Sequence, residues 1–364
     1  MRQARALGTS SGLHKRCVAA LPQRRSDKPT FALHNGVTAL AASLLLLAAG
    51  PAIARATFAT FDVNGATGTF GQGINAGGSV AGYYTDSNVK CNGGCPHGFV
   101  RAANGTITTF DANGALYTLP VGINRKGWVT GYYYDSTTEH GFLRSPGGKI
   151  APIDPAGSIS TRALSINNED SVTGSYYDTN AAVHGFIRAA DGTVTVFDPA
   201  GSYDTHPTGI NGDGDVTGYF SSNGQALGFL RTADGTITSF SVPDEGQTYP
   251  AAINDKGVIA GYAGNGDGSV TGFVRAADGT ISTFDPAESK VTIPLSINAK
   301  MQIAGFYSTS GGYGIGFVRN AKGKIRSFGP PGATETDAYS INDNGVVTGY
   351  FADRNGYHGF MRTP

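Results

Sequence analysis

Charge is scarce in this sequence: Asp, Glu, Lys and Arg make up only 15% of its 364 residues. Helical periodicity is missing as well. No stretch beyond residue 56 sustains a 3.6-residue apolar repeat, which argues against a helical fold. One long apolar run occurs, Val37–Ala49, too short for a comfortable membrane span and followed by no second one. There is no nucleophile elbow, phosphate-binding loop or complete metal signature, and no cofactor or metal is expected. Cysteine is limited to Cys17, Cys91 and Cys95. What is abundant is glycine, at 54 residues, beside 17 Tyr and 19 Phe. That mixture suits many short strands joined by tight turns.

Net neutrality hides two unlike pieces. Of 27 basic and 27 acidic residues, eight basic and one acidic (Asp27) fall in residues 1–56, leaving 19 and 26 beyond, a net of −7. An acidic body argues against nucleic acid or an anionic membrane as partner. The basic stretch, the apolar run and the small residues Ala52-Ile53-Ala54 and Ala54-Arg55-Ala56 follow the order of a secretory signal cleaved near 54–56. The expectation is a secreted or periplasmic protein with no membrane insertion after cleavage. In that oxidising compartment Cys91 and Cys95 are expected to form a disulfide, since Gly93 and Gly94 let the chain fold back.

An Ile-Asn pair recurs at Ile74, Ile123, Ile166, Ile210, Ile253, Ile297 and Ile341, at spacings of 49, 43, 44, 43, 44 and 44 residues. Each unit reads as four strands, A to D, rich in β-branched and aromatic residues. Examples are Thr118–Ile123 (A), Trp128–Tyr133 (B), Gly141–Arg144 (C) and Thr236–Phe240 (D). In five units Gly follows the Asn by three residues, as a bulged A–B hairpin requires. Asp170 tolerates that position and Met301 does not, so the sixth turn is expected to differ. The last unit ends at Pro364 without a D strand, while Thr57–Asp62 supplies a spare one that matches Thr106–Asp111.

A missing strand at one end and a spare at the other close a ring and remove two sheet edges. The sequence therefore predicts an all-β fold, a seven-bladed β-propeller of four-stranded antiparallel blades, its last blade closed by the N-terminal strand. The boundaries are a signal peptide at 1–56 and one propeller domain at 57–364. Its units span approximately 63–111, 112–154, 155–198, 199–241, 242–285, 286–329, and 330–364 plus 57–62. The Ile-Asn, Val-Thr-Gly-Tyr and His-Gly-Phe motifs resemble the bacterial extracellular repeats of the HAF type over residues 57–364. Gly stands where that family has Ala, and the His occurs in four units only. The resemblance implies architecture and an extracellular location, and no particular activity.

Most recurrent residues are accounted for by building blades: the Asn of each A–B turn, the Phe and Arg of each Gly-Phe-x-Arg, and the Thr that opens each strand A. Asp86, Asp135, Asp178 and Asp353 occur in the same four units as His97, His140, His184 and His358, which predicts four structural Asp–His clasps across the B–C loops. The loops joining B to C and D to A vary most, so recognition is expected on their face. Just inside it, the residue after the invariant Thr is Arg162, His206, Tyr249 or Asp337 in four units, a candidate ligand-binding set at the channel mouth. The resulting expectation is a monomeric, non-catalytic scaffold that binds a glycan or an extracellular protein. Two alternatives are a polysaccharide hydrolase or lyase with its site at the channel mouth, and a structural envelope component.

Overall fold

The structure, a computed structural model, describes residues 56–87, 94–264, 266–310 and 312–364. The expected signal segment up to residue 55 and Cys91, and with Cys91 the expected disulfide, lie outside those residues. Among the described residues there are strands and turns and no helix. In the second unit, strands Tyr117–Ile123, Val129–Tyr134, Glu139–Arg144 and Ile150–Ile153 pair antiparallel in chain order. The other units repeat that order, and single parallel pairs such as Val183 with Asp204 link some neighbours. The first strand, Thr57–Phe61, pairs antiparallel with the last, Gly356–Thr363, with Thr57 opposite Thr363 and Phe61 opposite Gly359.

Local sequence explains two departures from a plain ladder. Every strand A carries a register shift just after its Pro, Ala or Gly, as between Pro120 and Gly122. Proline cannot donate to a ladder, so a bulge beside it costs little. At the A–B turns, Met301 adopts φ 59°, close to the 66° of Asp170, and its N–H donates to the Asn298 carbonyl at 3.0 Å. The sixth turn therefore does not differ as expected, because the hydrogen bonds around Asn298 hold it in the common form.

Those turns carry a second device. Each Asn accepts backbone N–H groups of its own turn on Oδ1, as from Ser79 to Asn75 at 2.9 Å. Its Nδ2 donates to the backbone carbonyl of the Asn in the next unit. The chain of donors runs from Asn75 through Asn124, Asn167, Asn211, Asn254 and Asn298 to Asn342, and Asn342 donates back to Asn75, at 2.9–3.4 Å. The seven side chains are buried, so each satisfied bond avoids a desolvation cost of about 1–3 kcal/mol.

The core lies between neighbouring sheets. Phe99, Phe142, Phe186, Phe229, Phe273, Phe317 and Phe360 are fully buried. Six of them meet the D-strand Phe of the preceding unit edge-on or nearly so, as Phe110 meets Phe142 at 6.2 Å. Each such ring removes apolar surface worth roughly 2–3 kcal/mol from water. The invariant arginines cap these stacks: Arg144 lies 4.6 Å over the Phe110 ring while its guanidinium donates to the Ser145 carbonyl. A β-carbon at Gly141 would strike the Ile153 carbonyl of its own sheet and press on Thr161 and Ala163 of the next unit, so glycine there serves both the ladder and the close approach of sheets. Gly131 answers the first need, for a β-carbon would strike the Leu119 carbonyl within its own sheet.

Candidate functional site

The A-strand bulges turn one residue per unit inward. Gln72, Val121, Leu164, Thr208, Ala251, Leu295 and Tyr339 are the skipped positions, and all line one central cavity of about 310 Å³. Six of the seven Ile of the Ile-Asn pairs also border it, and the full set of seven lines a second cavity of about 220 Å³ at the Asn-ring end. The sequence reading missed the inward residues. The signal that could have found them was the Pro two residues before Gly, Ala or Ser in four A strands.

The four residues placed at the channel mouth do not act as one group. Tyr219 joins two of them: His206 stacks on it at 4.8 Å and Tyr249 meets its edge at 5.0 Å. Arg162 is taken up elsewhere. Its Nε and a terminal nitrogen donate to the two oxygens of Glu139 at 2.5 and 2.8 Å, and its guanidinium lies 5.1 Å over the Tyr132 ring. Glu139 also accepts from the Tyr117 hydroxyl at 2.8 Å.

Asp337 stands apart in both environment and charge. It is 5% exposed, and its Oδ1 has no hydrogen-bond partner among the described residues. Gly314 lies against that oxygen so closely that a β-carbon there would collide with it. Its Oδ2 accepts from the Tyr350 hydroxyl at 2.7 Å, and the same hydroxyl sits 3.4 Å from Glu335 Oε1. Among the described residues no cation contacts the group. Burial, reinforced by the Glu335 charge, pushes the carboxyl up to about 7 in spite of the Tyr350 hydrogen bond. Burial and the Asp337 charge likewise hold the Tyr350 and Tyr339 phenols well above the usual range. Tyr339, which lines the central cavity, packs on Tyr350 at 5.8 Å, so the acid lies one ring away from a channel-lining side chain. The arrangement is a carboxyl that titrates near neutral pH behind a phenol, beside a second carboxylate, and it can give or take a proton.

The Asp–His pairs meet as the co-occurrence predicts, and each imidazole gains a second carboxylate. His140 reaches Asp135 through Nε2 at 3.2 Å and Asp154 through Nδ1 at 2.9 Å. His97 lies between Asp86 and Asp111, His184 between Asp178 and Asp198, and His358 between Asp353 and Asp62. Burial opposes the charge on His140 and His358, yet their carboxylates outweigh it and raise them, while His184 is raised chiefly by Asp198. With both nitrogens engaged these rings are poor bases for a substrate. Among the described residues, no group of three or more His, Cys, Asp or Glu is arranged to hold a metal ion.

No family model matches the chain, and neither does any curated protein. Solved structures do. A catalytically inactive virginiamycin B lyase from Staphylococcus aureus with quinupristin is 16% identical at a TM-score of 0.56, over 85% of this chain and all of that one. A streptogramin B lyase is 14% identical at 0.55, over 85% and 98%. The β-propeller domain of the trilobed protease from Pyrococcus furiosus is 10% identical at 0.58, over 81% and 95%. Two of these neighbours are enzymes along essentially their whole length, which overturns the expectation of a non-catalytic scaffold. At such identities the likeness speaks for the fold, and the chain is a β-propeller.

Proposed function

We propose that this protein is an enzyme, a hydrolase or lyase acting on polysaccharide at the channel mouth, with Asp337 as its acid and Tyr350 as the group that passes the proton. One observation carries the reading: a buried carboxyl that titrates near pH 7, with one oxygen unpartnered and no neutralising cation among the described residues. Structural proteins do not ordinarily keep such a group, because an unpaired buried polar atom costs stability. Tyr313 and Tyr357, 62% and 36% exposed, suit stacking on sugar faces. In hydrolysis the bond between the anomeric carbon and the bridging oxygen breaks while a water oxygen bonds to that carbon. The Tyr350 phenol gives its proton to the departing oxygen and takes the proton of Asp337, while the proton lost by the attacking water goes to bulk water, from which Asp337 is reprotonated.

The finer architecture belongs to the same proposal. Seven blades of four strands, the last completed by Thr57–Phe61, agree with the seven Asn links and with the pairing of first and last strands. We propose further that the chain is exported to the periplasm or medium as a monomer of the HAF-repeat type, with Cys91 bridged to Cys95. The test is turnover of a polysaccharide panel, read as new reducing or unsaturated ends, with wild type and Asp337→Asn compared at equal melting temperature. A blank panel with folded wild type, or full activity in the variant, sinks the proposal.

A further inference from the structure

The loop between strands D and A that holds Asp62–Thr69 faces the hairpin that holds Asn355–His358, and a cavity of about 390 Å³ opens between them. The corresponding cleft between the second and third units, lined by Thr138, His140, Asp154 and Ile159 among others, measures only about 130 Å³. The reason is local. There Thr138 hydrogen-bonds across the cleft to the Ile159 carbonyl. Gly356 and Thr67 hold the matching positions in the wide cleft, and Gly356, at φ 135°, brings no side chain to span it.

The wide cleft adjoins the proposed acid. Tyr357 forms one of its walls, meets Phe70 at 5.5 Å and meets the edge of Tyr350 at 5.8 Å. Tyr350 is the donor to Asp337. Beside Val63, Gly65 and Ala66, the remaining lining offers hydroxyl, amide and carboxylate groups: Asn64, Thr67, Asn355 and the Asp62–His358 pair. His358 cannot serve an incoming anion, because Asp62 and Asp353 hold its two nitrogens at 2.9 and 3.3 Å. One imidazole between two carboxylates, whether protonated or not, leaves a net negative charge. Arg354 is exposed on the same hairpin but does not line the cavity.

We infer that this cleft is the subsite that seats one sugar of the substrate, stacked on Tyr357, and that this sugar is neutral or amino-bearing and not a uronate. An aromatic wall takes the C–H face of a pyranose while amides and hydroxyls take its hydroxyls. The negative field repels a sugar carboxylate and admits an ammonium. The inference deepens the enzyme reading above and favours hydrolysis, since elimination from a uronate needs its carboxylate neutralised and, among the described residues, no free cation lines the cleft.

Full-length wild type, Tyr357→Ala and Thr67→Ile, the last borrowing the side chain of the closed cleft, are titrated with cellotetraose, glucosamine tetramer and tetragalacturonate. Expected is binding of the first or second probe, absence of the third, and a loss of about tenfold in both variants at unchanged melting temperature. Tyr357→Phe keeps the ring and is expected to bind like wild type. Tetragalacturonate binding as tightly as the others, affinity indifferent to Tyr357→Ala and Thr67→Ile, or no binding of any probe overturns the subsite. Asp337→Asn separates the two readings. Binding without turnover in wild type defeats the enzyme reading and leaves the subsite. Turnover with KM unchanged in Tyr357→Ala and Thr67→Ile does the reverse.

Discussion

Two clefts of this molecule are built from matching positions and reach opposite electrostatic ends. Between the second and third units stand Tyr117, Tyr132, Glu139 and Arg162; between the seventh and first stand Glu335, Tyr350, Tyr357 and Phe70. The register is the same, with Leu119 opposite Tyr132 where Asp337 is opposite Tyr350. The inserted residue even sits at the same distance, Arg162 5.1 Å from the Tyr132 ring and Phe70 5.1 Å from the Tyr350 ring. In the first cleft one carboxylate meets one guanidinium and a phenol, and every charge is answered. In the second, phenol and carboxylate have exchanged places, a further carboxyl replaces Leu119, and a benzyl group fills the place of the guanidinium. The contrast supports placing the proposed chemistry in the second cleft, since there, among the described residues, a buried carboxyl stands without a counter-charge.

The largest way to break the comparison is Asp337→Asn. It keeps shape but removes the exchangeable proton, and turnover should fall by about 10²–10⁴-fold, read in the reducing-end assay. Making the second cleft resemble the first is the next test. Phe70→Arg brings a cation beside Tyr350, should lower the Asp337 carboxyl by about 1–3 pH units, and should move the alkaline limb of the pH–rate profile down by as much.

A third prediction concerns stability against pH. The Asp337 value of about 7 lies above the ordinary 3.8, so the folded protein holds this proton more tightly than the unfolded chain. The stabilisation is therefore whole below about pH 4 and is lost as pH rises to about 7. Melting temperatures across that window should decline in wild type and flatten in Asp337→Asn. Smaller still is Glu139→Gln in the first cleft, which should cost about 1 kcal/mol because Arg162 is half exposed, and should leave turnover unchanged.

The Asp–His clasps supply the smallest effect. The raised values of His140, His184 and His358 stabilise the fold fully below about pH 6.5, and that contribution is lost as pH rises through them. His184→Gln should thus lower the melting temperature by a degree or two at pH 5.5 and by less at pH 8.5, as a pair of melting curves would read.

Strand identity and order were legible in the sequence because alternation, turn glycines and the repeat are local signals. So were the Asp–His pairs, whose members co-vary among units of one chain. Their second carboxylates, Asp62, Asp111, Asp154 and Asp198, were not, because each lies 14 residues from its histidine, or 296 in the case of Asp62. The Asn links between units were hidden in the same way, since a turn role already explained every Asn. Asp337 could be named as a candidate, but not its isolation. That property depends on what Phe70, Gly314, Glu335 and Tyr350 bring to one place from three units.

The bond from Asn342 to Asn75 spans 267 residues of chain, and the pairing of Phe61 with Gly359 spans nearly 300. Neither can form until almost the whole polypeptide is available, and the loop they close carries the highest entropic cost in the molecule. Folding should therefore be limited by a late zipping step. Joining the native ends and cutting the chain within a D–A loop would turn that long-range closure into a local hairpin. Such a circular permutant should refold faster than the natural chain while retaining the same native contacts.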